Sequence, residues 1–175
     1  MPAERPDLSL LDDVVAPRIL DAMRASSQFL RENGIKHVLV GGLAVGAYGH
    51  PRATKDVDFL VGDNAFEHHG GGIVTMRAPI QVNGVAVDHV SVGAGETFLT
   101  DLLHTTPQTE GTPVVPLEAL VYMKLKAGRA QDVADLVALI KSEIDLEACR
   151  AWLSRNAPQF LPKLAHVEAQ ARAEQ

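Results

Sequence analysis

The 175-residue chain has little of several features that mark large classes of protein. It has one cysteine, Cys149, which excludes an internal disulfide and a cysteine-based zinc site and predicts a buried thiol. No apolar run approaches the roughly 18 residues that a membrane-spanning helix needs. The first residues, MPAERPDLS, also lack the apolar core of a signal peptide. We therefore expect no membrane association and a cytoplasmic location.

Positive charge is also scarce. The chain has 16 Lys and Arg residues against 22 Asp and Glu residues, a formal net charge of −6. Because phosphate contacts dominate nucleic-acid affinity, we expect no strong general nucleic-acid binding, although a local basic patch stays open.

The sequence has no internal repeat or low-complexity segment. Its length and its 46% apolar content are those of one globular core with at most a small helical appendage.

Two aspartates open a predicted strand in the first half of the chain. Side chains two positions apart lie on the same face of a strand, so Asp56 and Asp58 place two carboxylates side by side. Val57 and Phe59 point to the opposite face. Only a cation relieves the repulsion between such carboxylates, and Mg²⁺ typically takes one or two of them from a protein.

A double glycine, Gly41 and Gly42, lies between a predicted strand, Lys36–Val40, and a predicted short helix, Leu43–Tyr48. Glycine lets backbone N–H groups approach an anion closely at the positive end of a helix. Taken singly, a Gly-Gly pair is most often a turn, and an Asp-x-Asp pair is usually a solvated strand end. Their conjunction with a third aspartate, Asp88 on a later predicted strand, indicates a metal and phosphate site.

These residues resemble the signature of the nucleotidyltransferase superfamily, whose best-known members include DNA polymerase beta and kanamycin nucleotidyltransferase. The shared elements are the double glycine, thirteen intervening residues, Asp56-x-Asp58 and the later Asp88. The run from Arg52 to Asp58, RATKDVD, is most similar to abortive-infection type nucleotidyltransferases, a branch with antibiotic-modifying and toxin-like members. The resemblance extends over roughly Ile35 to Lys141.

The resemblance implies a fold and an activity. The fold is α/β (α+β), a small mixed sheet flanked by helices, with a nucleotidyltransferase-like domain at 1–141 and a C-terminal helical extension at 142–175 packed on it. The activity is transfer of a nucleoside monophosphate from an NTP, ATP included, to a hydroxyl group, with Mg²⁺ or Mn²⁺ as cofactor. The acceptor stays open between a small molecule, RNA and protein, and a homodimer is an open alternative.

The resemblance also assigns roles to residues. It implies that Asp56 and Asp58 hold two metal ions and that Asp88 completes one site and helps to activate the acceptor hydroxyl. The implied catalytic and metal-binding residues are Asp56, Asp58 and Asp88, and the implied nucleotide-binding residues are Gly41, Gly42, Arg52, Thr54 and Lys124.

Arg52 and Thr54 lie just ahead of the aspartates and share their alternation. A guanidinium group binds a triphosphate oxygen or a carboxylate equally well in bidentate geometry, whereas the alternative is a solvated strand edge. Lys124 falls on the apolar stripe of a helix that we expect to begin at Pro116. It either contacts an anion or extends its charge to the surface.

Other segments have simpler interpretations. Asp132 and Asp135 are expected to orient Arg129 or to cap the helix Ala130–Lys141 rather than to bind metal. Helical spacing extends over Ser9–Asn33 and is interrupted at Pro17, and a loop is expected at Asp63–Gly72 with His68 and His69 at the surface. A hairpin turn is expected at Asn83-Gly84 before a strand at Val85–Val92. Two C-terminal helices are expected at about Asp145–Asn156, with Asp145 as N-cap, and at Pro158–Ala173.

Two other functions stay open at this point. The scaffold could serve as a non-catalytic interaction module of the toxin–antitoxin or regulatory type, although three intact carboxylates favour catalysis. Another metal-dependent phosphoryl-transfer or hydrolytic enzyme could use the same cluster. Dependence on a nucleotide distinguishes these alternatives.

Overall fold

The computed structural model describes residues 5–108 and 111–175, so positions 1–4 and 109–110 of the predicted first domain lie outside the described residues. The described residues form seven α-helices: α1 Pro17–Glu32, α2 Gly41–Ala47, α3 Thr97–Thr105, α4 Leu117–Ala127, α5 Ala130–Lys141, α6 Leu146–Asn156 and α7 Leu161–Ala173. They also form six strands: β1 His37–Val40, β2 Val57–Val61, β3 Phe66–His68, β4 Val74–Met76, β5 Gln81–Val82 and β6 Val85–Ser91. The predicted α/β class with a small mixed sheet is confirmed. None of the described helices combines the length and apolar character needed to cross a bilayer.

The main sheet has four strands in the order β1-β2-β6-β5. Strand β1 runs antiparallel to β2, β2 runs parallel to β6, and β5 pairs with β6 in an antiparallel hairpin. The turn of this hairpin has positive φ angles of 50° at Asn83 and 78° at Gly84, as the Asn-Gly pair predicts. The sequence left the direction of β1 against β2 and the strand order undetermined.

The two faces of the sheet bury different cores. On one face Leu39, Phe59 and Val87 join a cluster that includes the apolar stripe of α1. On the other face Val38 and Leu60 join a cluster that includes residues of α3 to α7, and we call this the helical face. Because side chains alternate along a strand, polar side chains two positions from Leu60 also point towards the helical face.

The C-terminal helices complete the core on the helical face. Residues of α6 and α7 belong to the same apolar cluster as β1, α2 and α4, and Cys149 is fully buried within it. Asp145 caps α6 as predicted, accepting a hydrogen bond from the N–H of Ala148 at 2.9 Å. Trp152 packs edge-on against Phe98, with ring centroids 5.2 Å apart.

Two predicted segments need correction. The region Asp63–Gly72 is not a simple loop, because it contains β3, which pairs with β4 in a two-stranded sheet; its histidines are exposed, as expected. The helical spacing over Ser9–Asn33 resolves into a 3₁₀ turn at Leu8–Leu11 and α1, which begins at Pro17 because proline is favoured in the first turn of a helix.

Candidate active site

A pocket of about 750 Å³ opens between the helical face of the sheet, the start of α2, and α4 with α5. All eight residues that the sequence singles out line it: Gly41, Gly42, Arg52, Thr54, Asp56, Asp58, Asp88 and Lys124. They come from the start of α2, the segment before β2, two neighbouring strands and α4. The fold therefore brings into one cavity residues that are far apart in the sequence.

Asp58 and Asp88 lie side by side on neighbouring strands of the sheet. The parallel pairing of β2 with β6 sets Asp58 in register with Asp88, and neighbouring strands lie about 4.8 Å apart. Asp58 is partly buried, whereas Asp88 is exposed because the helical face opens into the pocket at this point.

Asp56 lies just outside the strand. The sequence predicts that β2 opens with Asp56, but β2 begins at Val57 and Asp56 is exposed. The register explains the difference: β1 ends at Val40 opposite Asp58, and the pairing with β6 starts at Val57, so position 56 has no partner strand.

Ionisation of the Asp58 carboxyl group is unfavourable because it is partly buried and because two other carboxylates lie nearby. Burial, followed by the nearby carboxylates of Asp88 and Asp56, raises the pKa of Asp58 from 3.8 to about 6, although Lys124 and Arg129 oppose the shift. In the part of the chain that the structure describes, these three aspartates have no cationic side chain within ion-pairing distance. The other buried carboxylates of the pocket, by contrast, are all paired with cations.

The two glycines allow the carboxylate and the segment before β2 to approach the start of α2. Gly41 has a φ of 69°, and a Cβ atom there would lie 2.3 Å from Oδ2 of Asp58. A Cβ atom at Gly42 would lie 3.0 Å from Nη2 of Arg52 and 3.2 Å from Oγ1 of Thr54. Side chains at these positions would thus displace the groups that line the pocket.

Arg52 binds a carboxylate on α5. Its Nε and Nη2 donate to the two oxygens of Asp135 at 2.8 and 3.0 Å. Of the two expected partners, a triphosphate oxygen and a carboxylate, the structure therefore shows the carboxylate, in a bidentate ion pair. Burial alone would raise the pKa of Asp135, but hydrogen bonds from Arg52 and Lys124 outweigh it, and the pKa is lowered. Asp135 therefore positions Arg52, not Arg129 as the sequence suggested.

Lys124 is buried at the back of the pocket, with 6% of its surface exposed. Its Nζ donates to Oδ1 of Asp132 at 3.0 Å and to Oδ2 of Asp135 at 2.8 Å. The alternative of a lysine extending to the surface is therefore wrong. The anionic partner of Lys124 is a pair of aspartates, Asp132 and Asp135. Contact between Lys124 and a phosphate stays a prediction.

Asp132 has the capping role that the sequence predicts. It accepts hydrogen bonds from the backbone N–H of Arg129 at 3.2 Å and from Nε of Arg129 at 2.7 Å at the start of α5. The Arg129 side chain is 78% exposed and lines the pocket. It therefore adds a solvent-accessible positive charge to the entrance of the pocket.

Glu96 is a pocket residue that the sequence analysis missed. It is 7% exposed and accepts hydrogen bonds from Tyr122 and from Nζ of Lys126, the latter at 2.9 Å. No spacing rule marks it, because its partners lie on α4, 26 and 30 positions later in the chain. The adjoining wall is apolar and comprises Leu60, Val90, Leu99, Leu120 and Met123.

The donor atoms of the aspartates fit a hard divalent cation. Carboxylate oxygens suit Mg²⁺ or Mn²⁺, and the unpaired charges of Asp56, Asp58 and Asp88 leave a negative field for one. Within residues 5–108 and 111–175, no group of three or more His, Cys, Asp or Glu side chains is placed so that it could hold a metal ion by itself. The donors thus match a cation that keeps most of its ligands from water and substrate, as Mg²⁺ does.

Comparison with known proteins does not assign the chain to a family. No protein-family model matches the chain, and no curated protein matches it. The solved structures that resemble it include an antigenic nucleotidyltransferase-like protein from Paracoccidioides brasiliensis. That likeness has a TM-score of 0.43 and 16% sequence identity, and it covers 87% of this chain and 94% of the other.

Proposed function

We propose that this protein is a metal-dependent nucleotidyltransferase that moves a nucleoside monophosphate from an NTP to a hydroxyl group and releases pyrophosphate. The observation that carries the proposal is that three aspartates without cationic partners among the described residues, Asp56, Asp58 and Asp88, line one pocket together with cationic side chains. A pocket of about 750 Å³ also has room for a nucleotide, since small-molecule sites typically measure about 300 to 1,000 Å³.

The charges of the pocket are arranged in two zones. Asp58 and Asp88 lie on the sheet and Asp56 just before it, all three without cationic partners among the described residues. Arg52, Lys124 and Arg129 come from the segment before β2, from α4 and from the start of α5. A cation between the carboxylates and a triphosphate next to the basic side chains would satisfy both zones. This division suits phosphoryl transfer, in which catalysis is mostly positioning and charge neutralisation.

Each group has a part in the proposed reaction. A bound Mg²⁺ or Mn²⁺ would neutralise phosphate oxygens and favour attack by the acceptor hydroxyl. Asp56 and Asp58 would hold the cation, and Asp88, exposed on the neighbouring strand, would accept the proton of the acceptor hydroxyl. Arg129 has the exposure to contact a phosphate directly, whereas Arg52 and Lys124 contribute positive charge while they remain tied to Asp135.

The experiment that tests the proposal is a transfer screen. The protein is incubated with Mg²⁺ and each NTP in turn against pooled hydroxyl acceptors, including small molecules, RNA and the protein itself, and products are analysed by mass spectrometry. The expected product carries one added nucleoside monophosphate, requires Mg²⁺, and is missing with Asp58→Asn. If no NTP gives an adduct in any pool, the result favours a non-catalytic interaction module.

A further inference from the structure

A smaller cavity lies on the other side of the sheet from the pocket. It has a volume of about 200 Å³, and its walls include Ser26 and Phe29 of α1, Pro79 and Val82 near β5, and His89 of β6. His89 follows Asp88 on β6 and therefore points to the opposite face, where its ring stacks on Phe59 at a centroid distance of 6.4 Å. This cavity is thus separate from the proposed active site and does not depend on it.

Three polar atoms of this cavity wall have no hydrogen-bond partner among the described residues. They are Oγ of Ser26 and both ring nitrogens, Nδ1 and Nε2, of His89, and all three are buried. Ser26 is only 5% exposed, and it does not bond to the carbonyl of the preceding helical turn, as helical serines often do. Because buried polar groups in native proteins are almost always hydrogen-bonded, these atoms point to a partner from outside the chain.

The two residues offer a complementary set of donors and acceptors. A neutral histidine ring has one nitrogen that donates a hydrogen bond and one that accepts, and neither ring nitrogen of His89 has a partner among the described residues. The Ser26 hydroxyl can donate and accept as well. A ligand bound between them therefore needs a group that both donates and accepts a hydrogen bond, such as a hydroxyl or an amide.

The rest of the wall limits the ligand's size and charge. Apart from Ser26 and His89, the residues around the cavity are apolar, and Phe29 and Pro79 supply flat surfaces. An apolar protein cavity of about 150 Å³ binds benzene, so about 200 Å³ holds one ring with a small substituent. We propose that this cavity binds an uncharged, single-ring molecule whose hydroxyl or amide group bonds to Ser26 and His89.

The test compares phenol with benzene, which has the same ring without the hydroxyl group. Each is titrated into the full-length chain while the NMR signals of Ala25, Ala78, Val82 and the His89 ring are recorded. We expect phenol to shift these signals with at least tenfold higher affinity than benzene. Ser26→Ala and His89→Phe should each weaken phenol binding at least tenfold, and His89→Phe, which keeps the ring stacked on Phe59, should bind benzene at least as well as the unaltered protein.

Two controls keep the result unambiguous. His68→Phe, at an exposed histidine outside the cavity, should leave phenol binding unchanged. The comparison of phenol with benzene needs no variant, so it remains decisive even if a substitution impairs folding. If phenol shifts none of these NMR signals up to its solubility limit, as expected for a cavity filled by water alone, the proposal is overturned. Equal affinities for phenol and benzene in the unaltered protein would also overturn it.

Discussion

At the scale of single residues, the protonation of Asp58 couples the stability of the metal-free protein to pH. Its pKa is raised from 3.8 to about 6, so between these pH values the native state binds a proton more tightly than the unfolded chain does. The contribution of Asp58 to stability is therefore favourable at low pH and is lost as the pH rises through about 6. Above that pH the ionised carboxylate destabilises the fold.

The substitution Asp58→Asn should remove this penalty. We expect the free energy of unfolding at pH 7.5, without divalent ions, to rise by about 1 to 3 kcal/mol, and the gain to shrink towards pH 4. Urea unfolding at several pH values measures it, with the exposed Asp101→Asn as a control. If the difference in unfolding free energy between the variant and the original protein does not change with pH, then Asp58 has an ordinary pKa and this interpretation is wrong.

Gly41 is a second residue whose identity the site requires. Gly41→Ala combines an unfavourable φ of 69° with a Cβ atom 2.3 Å from Oδ2 of Asp58, so it should both destabilise the fold and displace the carboxylate. Gly34→Ala is the matched control, because Gly34 has a φ of 67° and, among the described residues, nothing within 4 Å of the added Cβ.

Both glycine variants should therefore lose about 1 kcal/mol through backbone strain, and Gly41→Ala should lose more. Thermal unfolding and Mg²⁺-dependent nucleotide binding are the measurements. We expect Gly34→Ala to keep nucleotide binding and Gly41→Ala to lose it. Normal nucleotide binding by Gly41→Ala would contradict a site built around Asp58.

Lys124 now has a structural role beside the predicted contact with phosphate. Lys124→Met would leave Asp132 and Asp135 buried with one cation fewer, so we expect a loss of about 3 kcal/mol in unfolding free energy. Lys126→Met removes a lysine with 52% of its side chain exposed and leaves its partner Glu96 bonded to Tyr122, so it should cost less than Lys124→Met. Chemical unfolding of both variants checks this, and equal stabilities would mean that the buried network contributes little.

At the scale of elements, one ion pair joins the segment before β2 to helix α5. Arg52 and Asp135 are 83 positions apart and form two hydrogen bonds. Arg52→Lys keeps the charge but loses the bidentate geometry, so hydrogen exchange at the amides of residues 53–56 should accelerate. Arg129→Lys, at an exposed arginine, is the matched control. Equal protection in both variants would mean that Asp135 does not hold this segment.

Elements with a local signal could be predicted from the sequence. Helix α5 spans Ala130–Lys141 as predicted, Asp145 caps α6, and Asn83-Gly84 forms the hairpin turn. Each depends on residues a few positions apart, because a cap or a tight turn is determined by its own side chains and φ angles. Strand β3 was missed, since three residues with an exposed face become a strand only through pairing with β4.

The candidate site, like the elements, could be predicted from the sequence only where its signal is local. The glycines and aspartates follow a short, recognisable spacing, and the fold places all of them in one pocket. The partners of Lys124, Arg52 and Glu96 could not be deduced, because they depend on how α4 and α5 pack against the sheet. A charged residue on an apolar stripe indicates that a partner exists but does not identify it.

At the scale of the whole molecule, the sheet separates two cores and carries Asp58 and Asp88 on its two central strands, β2 and β6. The core on the helical face includes residues from β1 to α7, so the segment proposed as a C-terminal extension, 142–175, packs into the same apolar cluster as the site's own helices. This packing holds α4 and α5 against the sheet, and those helices bring Lys124 and Arg129 into the pocket that Asp58 and Asp88 also line.

The most direct test of this account is calorimetric titration of the full-length chain with a non-hydrolysable NTP. The titration is made at pH 7.5 with Mg²⁺ and with a chelator, for the original protein and for Asp58→Asn. The account predicts that the nucleotide binds at least tenfold more tightly with Mg²⁺, and that Asp58→Asn abolishes this dependence while remaining folded. Nucleotide binding that is equally tight with the chelator, or unchanged in Asp58→Asn, would contradict the assignment of the three aspartates to a metal-dependent nucleotide site.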